Sequence, residues 1–164
     1  MNGWSMTASR EAATPRPAVF ADDLAVGDRV ELGEHLVERA ELLEFAGRWD
    51  NQWFHTDEAA AQHGHFGDVI ASGIHTLAIL QRLTVQAIYG DWAVVAGREL
   101  ESVRFLEAVR PEDVLTGSIE ITDIKLGQSR GRVTMRGQLV NQHGTPVLSS
   151  DLTIVMFRRG SHAD

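Results

Sequence analysis

The stretch Ser72-Gly-Ile-His-Thr-Leu-Ala-Ile-Leu-Gln-Arg-Leu-Thr-Val-Gln-Ala-Ile-Tyr89 decides the fold. Leu77, Leu80, Leu83, Ala87 and Ile88 recur at helical spacing and form one stripe. Ile74, Ala78, Ile79 and Val85 lie off that stripe, so the helix is apolar around most of its circumference and is expected to be enclosed. Ser72 stands where an N-cap belongs, its hydroxyl able to accept the free N–H of Ile74 or His75.

Outward from this helix the period changes. After Gly90, Ile119 and Ile121, then Val133, Met135 and Leu139, then Leu148, Leu152, Ile154 and Met156 alternate with polar residues. Residues 127–131 and 142–146 punctuate these runs as turns. With residues 93–107 they predict four successive antiparallel strands. Upstream, residues 26–38 read as a turn and an edge strand, and Glu38–Trp49 as an amphipathic helix ending near Gly47. Asp57–His63 reads as a short helix with Asp57 as N-cap and Gly64 past its end. The expected class is α+β: one domain whose antiparallel sheet curves around a long central helix. Its bounds are placed at 23–159, with tails at 1–22 and 160–164. A sheet wrapped on a single helix leaves part of that helix bare, so a homodimer is expected to cover it.

Composition narrows the function classes. With 164 residues, 43% hydrophobic, there is room for one core. The absence of cysteine excludes disulfides and thiolate-bound metal, and fits the cytoplasm. The first 20 residues lack an apolar signal-peptide core, and no long uncharged apolar run is present, so no membrane role is expected. The net charge of −8 comes from residues 1–97, with 6 Lys/Arg against 14 Asp/Glu, because residues 98–164 hold 9 of each. No nucleic-acid role is expected, given that charge and the lack of a basic run interleaved with aromatics. Arg98, Arg104, Arg110, Lys125, Arg130, Arg132 and Arg136 are either solvated on strand faces or local contacts for a small anion.

The connector Trp49-Asp-Asn-Gln-Trp-Phe-His55 carries the chemistry. Three large aromatics in a short loop are expected to bury and to fix the polar residues among them. Asp50 and His55 are either turn residues or an acid/base pair whose carboxylate and imidazole share a water. Gly73, at the start of the core helix, is either ordinary helix-start chemistry or a place where a ligand carbonyl meets a free backbone N–H. His63, His65, Asp68 and His75 do not match a metal-ligand spacing, and no metal is expected. Nucleophile-elbow, phosphate-loop and dinucleotide motifs are absent.

Residues 49–61 and 66–76, with the junctions Val109–Leu115 and Asn141–Gly144, resemble the MaoC-like hydratase/dehydratase family of the hotdog fold, over about residues 23–158. The resemblance implies that Asp50 activates water for attack on Cβ of a trans-2-enoyl thioester while His55 delivers a proton to Cα, or the reverse dehydration. It also implies that the Gly73 amide holds the thioester oxygen, and that Gln52, Trp53, Phe54, Ser72 and Ile74 line the substrate pocket. The carrier would be coenzyme A as part of the substrate, with no separate cofactor. Two departures stand out: Gln52-Trp53 replaces Asn-Pro, where a tryptophan is expected to narrow or reshape the acyl tunnel, and Gln81 replaces a helix serine. The rival expectations are a hotdog thioesterase and a non-catalytic acyl-binding or heteromer-forming subunit in which Trp53 closes the site.

Overall fold

The structure is a computed structural model and describes residues 17–161. In chain order it contains β1 (Arg29–Leu36), α1 (Arg39–Trp49), α2 (Trp53–Thr56), α3 (Glu58–Gln62) and α4 (Gly73–Thr84), the last continued by a π-helical turn, Val85–Tyr89. Four strands follow: β2 (Val94–Phe105), β3 (Val114–Leu126), β4 (Arg130–Val140) and β5 (Pro146–Phe157). They form one antiparallel sheet in the order β1-β3-β4-β5-β2. This is the hotdog fold, with α4 as the helix on which the sheet packs.

The period-2 pattern works as expected. In β3, Leu115, Gly117, Ile119 and Ile121 are buried, and in β4 so are Val133, Met135, Gly137 and Leu139. From the helix side, Ile79, Leu80, Leu83 and Ile88 close the core, each leucine contributing about 2 kcal/mol by leaving water. Two sheet glycines set how closely the layers approach. A Cβ on Gly137 would stand 2.7 Å from Leu80 Cδ2, and one on Gly117 would stand 3.0 Å from Leu83 Cδ1. The junction segments meet as well: Gln142 donates its amide to Asp113 Oδ1 at 2.9 Å and accepts the Val114 N–H at 3.1 Å.

Several expectations need correction. The connector is not a loop of buried aromatics, because residues 53–56 form α2, and Trp49 and Trp53 are 75% and 51% exposed. Trp53 finds partial cover by lying across Gly64, where no side chain intervenes, and edge-on to Phe54. Helix α1 continues through Gly47 to Trp49. The π-helical turn changes the angular step at the end of the core helix, so Ile88 is buried but Ala87 faces solvent. Nor is the helix enclosed: Ile74, Ala78, Gln81, Arg82 and Val85 are exposed.

Residues 17–22, assigned above to a tail, are docked. Val19 bridges Trp92, Ala21 is buried against the β4 backbone at Gly131, and Asp22 takes the Arg158 guanidinium. The rest of that tail, 1–16, and the end of the other, 162–164, lie outside the described residues. Among the described residues no helix is long and apolar enough to cross a membrane.

Candidate active site

The end of α1 delivers Asp50 and the one-turn helix α2 delivers His55. Both face a cleft of about 460 Å³ whose other walls include Gly73 and Ile74 of α4 and Phe105 at the end of β2. Asp50 Oδ2 accepts the Ser72 hydroxyl at 2.6 Å, and Oδ1 accepts the Gln52 amide at 2.8 Å. The Ser72 hydroxyl first, then the Gln52 amide and the neighbouring His55 ring, hold the Asp50 carboxyl below its ordinary range. Asp50 is therefore a carboxylate at neutral pH.

His55 is buried, and its Nδ1 lies 2.7 Å from the Ile70 carbonyl oxygen. A carbonyl only accepts, so that contact assigns the proton to Nδ1 and points Nε2 into the cleft, 3.5 Å from Asp50 Oδ2. Opposite, Gly73 is the first residue of α4, and among the described residues its N–H meets no backbone acceptor. A Cβ there would come 2.8 Å from the Phe105 ring, so only glycine permits this wall and this helix start together.

Of the expected pocket residues, Gln52 and Ile74 line the cleft, and Ser72 reaches it through Asp50 while accepting the Ile74 N–H at 3.2 Å as the N-cap. Trp53 and Phe54 do not line it. Trp53 turns onto Gly64, and Phe54 packs among Trp53, His55 and Phe66. The expected narrowing by Trp53 is thus not found, for the same reason that leaves its ring half exposed.

Contacts that sequence reading missed hold the imidazole in place. The loop carrying the Ile70 carbonyl is tied by Asp68, which accepts both Arg39 terminal nitrogens, at 3.0 and 2.8 Å, and also the Val69 N–H. The Arg39 fork keeps the Asp68 carboxyl below its usual range. Arg110 donates to the Phe66 carbonyl at 3.0 Å, adding a second tie. Apart from the charges themselves, no sequence pattern marks these contacts.

The four residues weighed as metal ligands have separate partners. His63 bonds the Ala59 carbonyl, His65 sits edge-on to Phe66, Asp68 holds Arg39, and His75 meets Glu41 at 3.3 Å. Among the described residues no group of three or more His, Cys, Asp or Glu side chains is arranged to hold a metal. His75 does belong to the first turn of the core helix, but it is buried, stacked on Phe45, and joined through Glu41 to His35. Burial pushes its pKa down, against the pull of Glu41. Several second-half arginines are already engaged: Arg98 with Glu99, Arg136 with Asp151, Arg158 with Asp22, and Arg130 over the Phe157 ring.

Comparison with known proteins bears on the family and the fold. The family model described as "MaoC like domain" matches residues 22–142. Among curated proteins, the uncharacterized protein YdeM of Bacillus subtilis (strain 168) is 32% identical over 139 residues, covering 84% of this chain and 98% of YdeM. The crystal structure of a MaoC-like dehydratase from Rhodospirillum rubrum is 37% identical with a TM-score of 0.77, over 86% of this chain and 98% of that one. The fold is shared with the R-hydratase PhaJ1 of Pseudomonas aeruginosa, at 22% identity and a TM-score of 0.70, over 90% of this chain and 94% of that one. A family match across most of the fold, including the segment that carries Asp50, His55 and Gly73, together with a near full-length relative, leads to one assignment: this chain belongs to the MaoC-like domain family.

Proposed function

We propose that the protein is a hydro-lyase that adds water to a trans-2-enoyl thioester, giving the 3-hydroxyacyl thioester, or runs the reverse dehydration. The observation that carries this reading is Asp50 Oδ2 standing 3.5 Å from His55 Nε2 in a cleft whose facing wall holds the Gly73 N–H. Family membership and the R. rubrum structure described as a dehydratase support the same chemistry.

In the hydration direction the thioester oxygen accepts the Gly73 N–H, whose contact strengthens as enolate charge builds there. Asp50 takes a proton from water as the oxygen bonds to Cβ. His55 Nε2 delivers a proton to Cα. Asp50 then returns the water's proton to Nε2 across the short gap between them, which restores the pair. The Nδ1 proton stays on the ring, donated to the Ile70 carbonyl throughout, so only Nε2 exchanges. Because Trp53 lies away from the cleft, the structure gives no support to a site closed by that side chain.

Coenzyme A is the proposed carrier, and Arg104 and Arg110, which flank the cleft-lining segment 105–109 in sequence, are the proposed phosphate contacts. A second copy of the chain is the proposed partner. Strand β2 is a sheet edge with ten of its twelve residues exposed, Leu100 and Phe105 among them, and such an edge is a template for strand pairing. Sedimentation of the wild type and Leu100→Lys tests this: a dimer that the lysine weakens supports pairing through β2, and a wild-type monomer overturns it. For the activity, loss of the conjugated thioester absorbance of crotonyl-CoA without release of free thiol supports a hydratase. Thiol release with no prior hydration would instead identify a thioesterase.

A further inference from the structure

Three titratable side chains that the proposed reaction does not use meet where β1, α1 and α4 converge. Glu41 Oε2 stands 2.9 Å from His35 Nε2, and Oε1 stands 3.3 Å from His75 Nε2. A carboxylate oxygen only accepts, so these contacts assign a proton to Nε2 of both rings. On His75 that leaves Nδ1 as a bare acceptor, buried with no hydrogen-bond partner. The ring is 3% exposed and lies flat on Phe45 of α1, with centroids 4.6 Å apart. A phenylalanine would fill this space and bury no unpaired nitrogen. Packing therefore does not account for a histidine here, and the Nε2 contact does.

That contact joins the two helices that bring the site residues together. Glu41 lies on α1, whose C-cap is Asp50, and His75 is in the first turn of α4, which starts at Gly73 after its N-cap Ser72. Among the described residues, these helices with their caps share two polar contacts: Asp50 with Ser72 at the cleft, and Glu41 with His75. Glu41 is nine positions before Asp50, about 13 Å along the helix. One contact sets the separation of the helices. A second, that far along the lever, sets the angle at which α1 delivers the Asp50 carboxylate. His35 holds the other Glu41 oxygen and anchors it to β1, an edge strand of the sheet. The remaining charged groups of the groove beside His75 are Glu44 and Arg48, paired with each other at 2.9 Å, and Arg82 of α4. Glu41 is thus the carboxylate left to take the His75 proton.

We propose that His35, Glu41 and His75 are positioning residues of the active site: a carboxylate clasped between two imidazoles that keeps Asp50 in register with Ser72 and Gly73. The inference rests on the hydratase reading for the task of Asp50. The clasp needs a donor at this depth, and the imidazole supplies one from Nε2 only by leaving Nδ1 bare, which accounts for the unpaired nitrogen.

Two readouts test this, one of them without substrate. The Ser72 hydroxyl is the largest cause of the lowered Asp50 pKa, so the Asp50 titration, followed by carboxyl-carbon NMR on the full chain, reports whether that bond is in register. His75→Phe keeps the stack on Phe45 and removes the donor. Asp50 is then expected to titrate closer to the ordinary carboxylate range, with no loss in melting temperature. Its kcat for crotonyl-CoA hydration is expected to fall about tenfold or more while KM stays within about twofold. Glu41→Gln, an exchange at a partly exposed helix position that leaves the core intact, is expected to act in the same way. The double variant is expected to be no slower than the slower single one, because both act through one contact. His75→Gln returns an N–H donor to Glu41 and is expected to recover most of the rate and the wild-type titration. An Asp50 titration that neither single variant moves, losses that multiply in the double variant, or a His75→Gln as slow as His75→Phe overturns the proposal. A wild type that hydrates no enoyl-CoA, while the variants still move the Asp50 titration, counts against the hydratase reading and supports the clasp.

Discussion

The Ser72 hydroxyl donates to Asp50 Oδ2 at 2.6 Å and at the same time accepts the N–H of Ile74 at 3.2 Å. One side chain thus caps the core helix and sets the charge state of the carboxylate facing it. Because this bond is the largest cause of the lowered Asp50 pKa, its removal has a predictable sign. In Ser72→Ala the Asp50 pKa rises toward the ordinary carboxylate value, so the acid limb of the pH–rate profile moves to higher pH. The lost cap costs about 1 kcal/mol. Ser72→Thr keeps the hydroxyl and is expected to restore both. A pH–rate profile and a melting curve for the two variants check this.

Gly73→Ala separates stability from function. Alanine is the better helix former by about 1 kcal/mol, so propensity alone favours the variant. Its Cβ, however, would come 2.8 Å from the Phe105 ring, which must swing aside and take the cleft wall with it. Turnover is expected to fall by about tenfold or more with little change in melting temperature. Adding Phe105→Ala is expected to recover part of the loss. A steady-state comparison of the single and double variants decides the point.

The buried His75 predicts how the fold responds to acid. Its folded pKa is depressed by burial, so below the unfolded value of 6.5 the unfolded chain binds the extra proton and the folded chain does not. Its contribution is present above pH 6.5 and is lost as pH falls below it, at up to about 1.4 kcal/mol per pH unit. His75→Phe keeps the stack on Phe45, removes the Nδ1 that has no hydrogen-bond partner, and is expected to flatten this acid-side loss. Urea unfolding at pH 7.5, 6.5 and 5.5 gives the slope for each protein.

Arg39 and Asp68 act on the imidazole from a distance, through the loop that presents the Ile70 carbonyl. Both side chains are more than 30% exposed, so Asp68→Asn is expected to cost about 1 kcal/mol of stability or less. The effect on turnover is expected to be larger than on substrate binding, because a shifted carbonyl misaims His55 Nε2. Separate kcat and KM values, with Arg39→Lys as a companion that keeps the charge but loses the fork, read this out.

What could be read from the sequence depended on whether the signal was a pattern or a meeting. The core helix and the strands were legible because Leu80, Leu83, Ile119 and Met135 report burial through their spacing. Asp50, His55 and Gly73 were legible as a resemblance, and the fold brings all three to one cleft. The fate of Trp53 was not legible, since its cover comes from the absence of a side chain at Gly64. Nor was the His55 contact with Ile70, fifteen positions away, because a backbone carbonyl leaves no mark in the sequence. The Arg39–Asp68 pair, 29 positions apart, looks like any two surface charges until the loop is folded. The bare strip of Ile74, Ala78 and Val85 runs through a helix whose composition suggested enclosure.

The most direct test of the account is the rate of crotonyl-CoA hydration, followed by loss of the conjugated thioester absorbance, in the wild type, Asp50→Asn and His55→Gln. The account predicts a measurable wild-type rate that falls about a hundredfold or more in each variant, with melting curves and oligomeric state unchanged. Hydration at wild-type rates in either variant would contradict it.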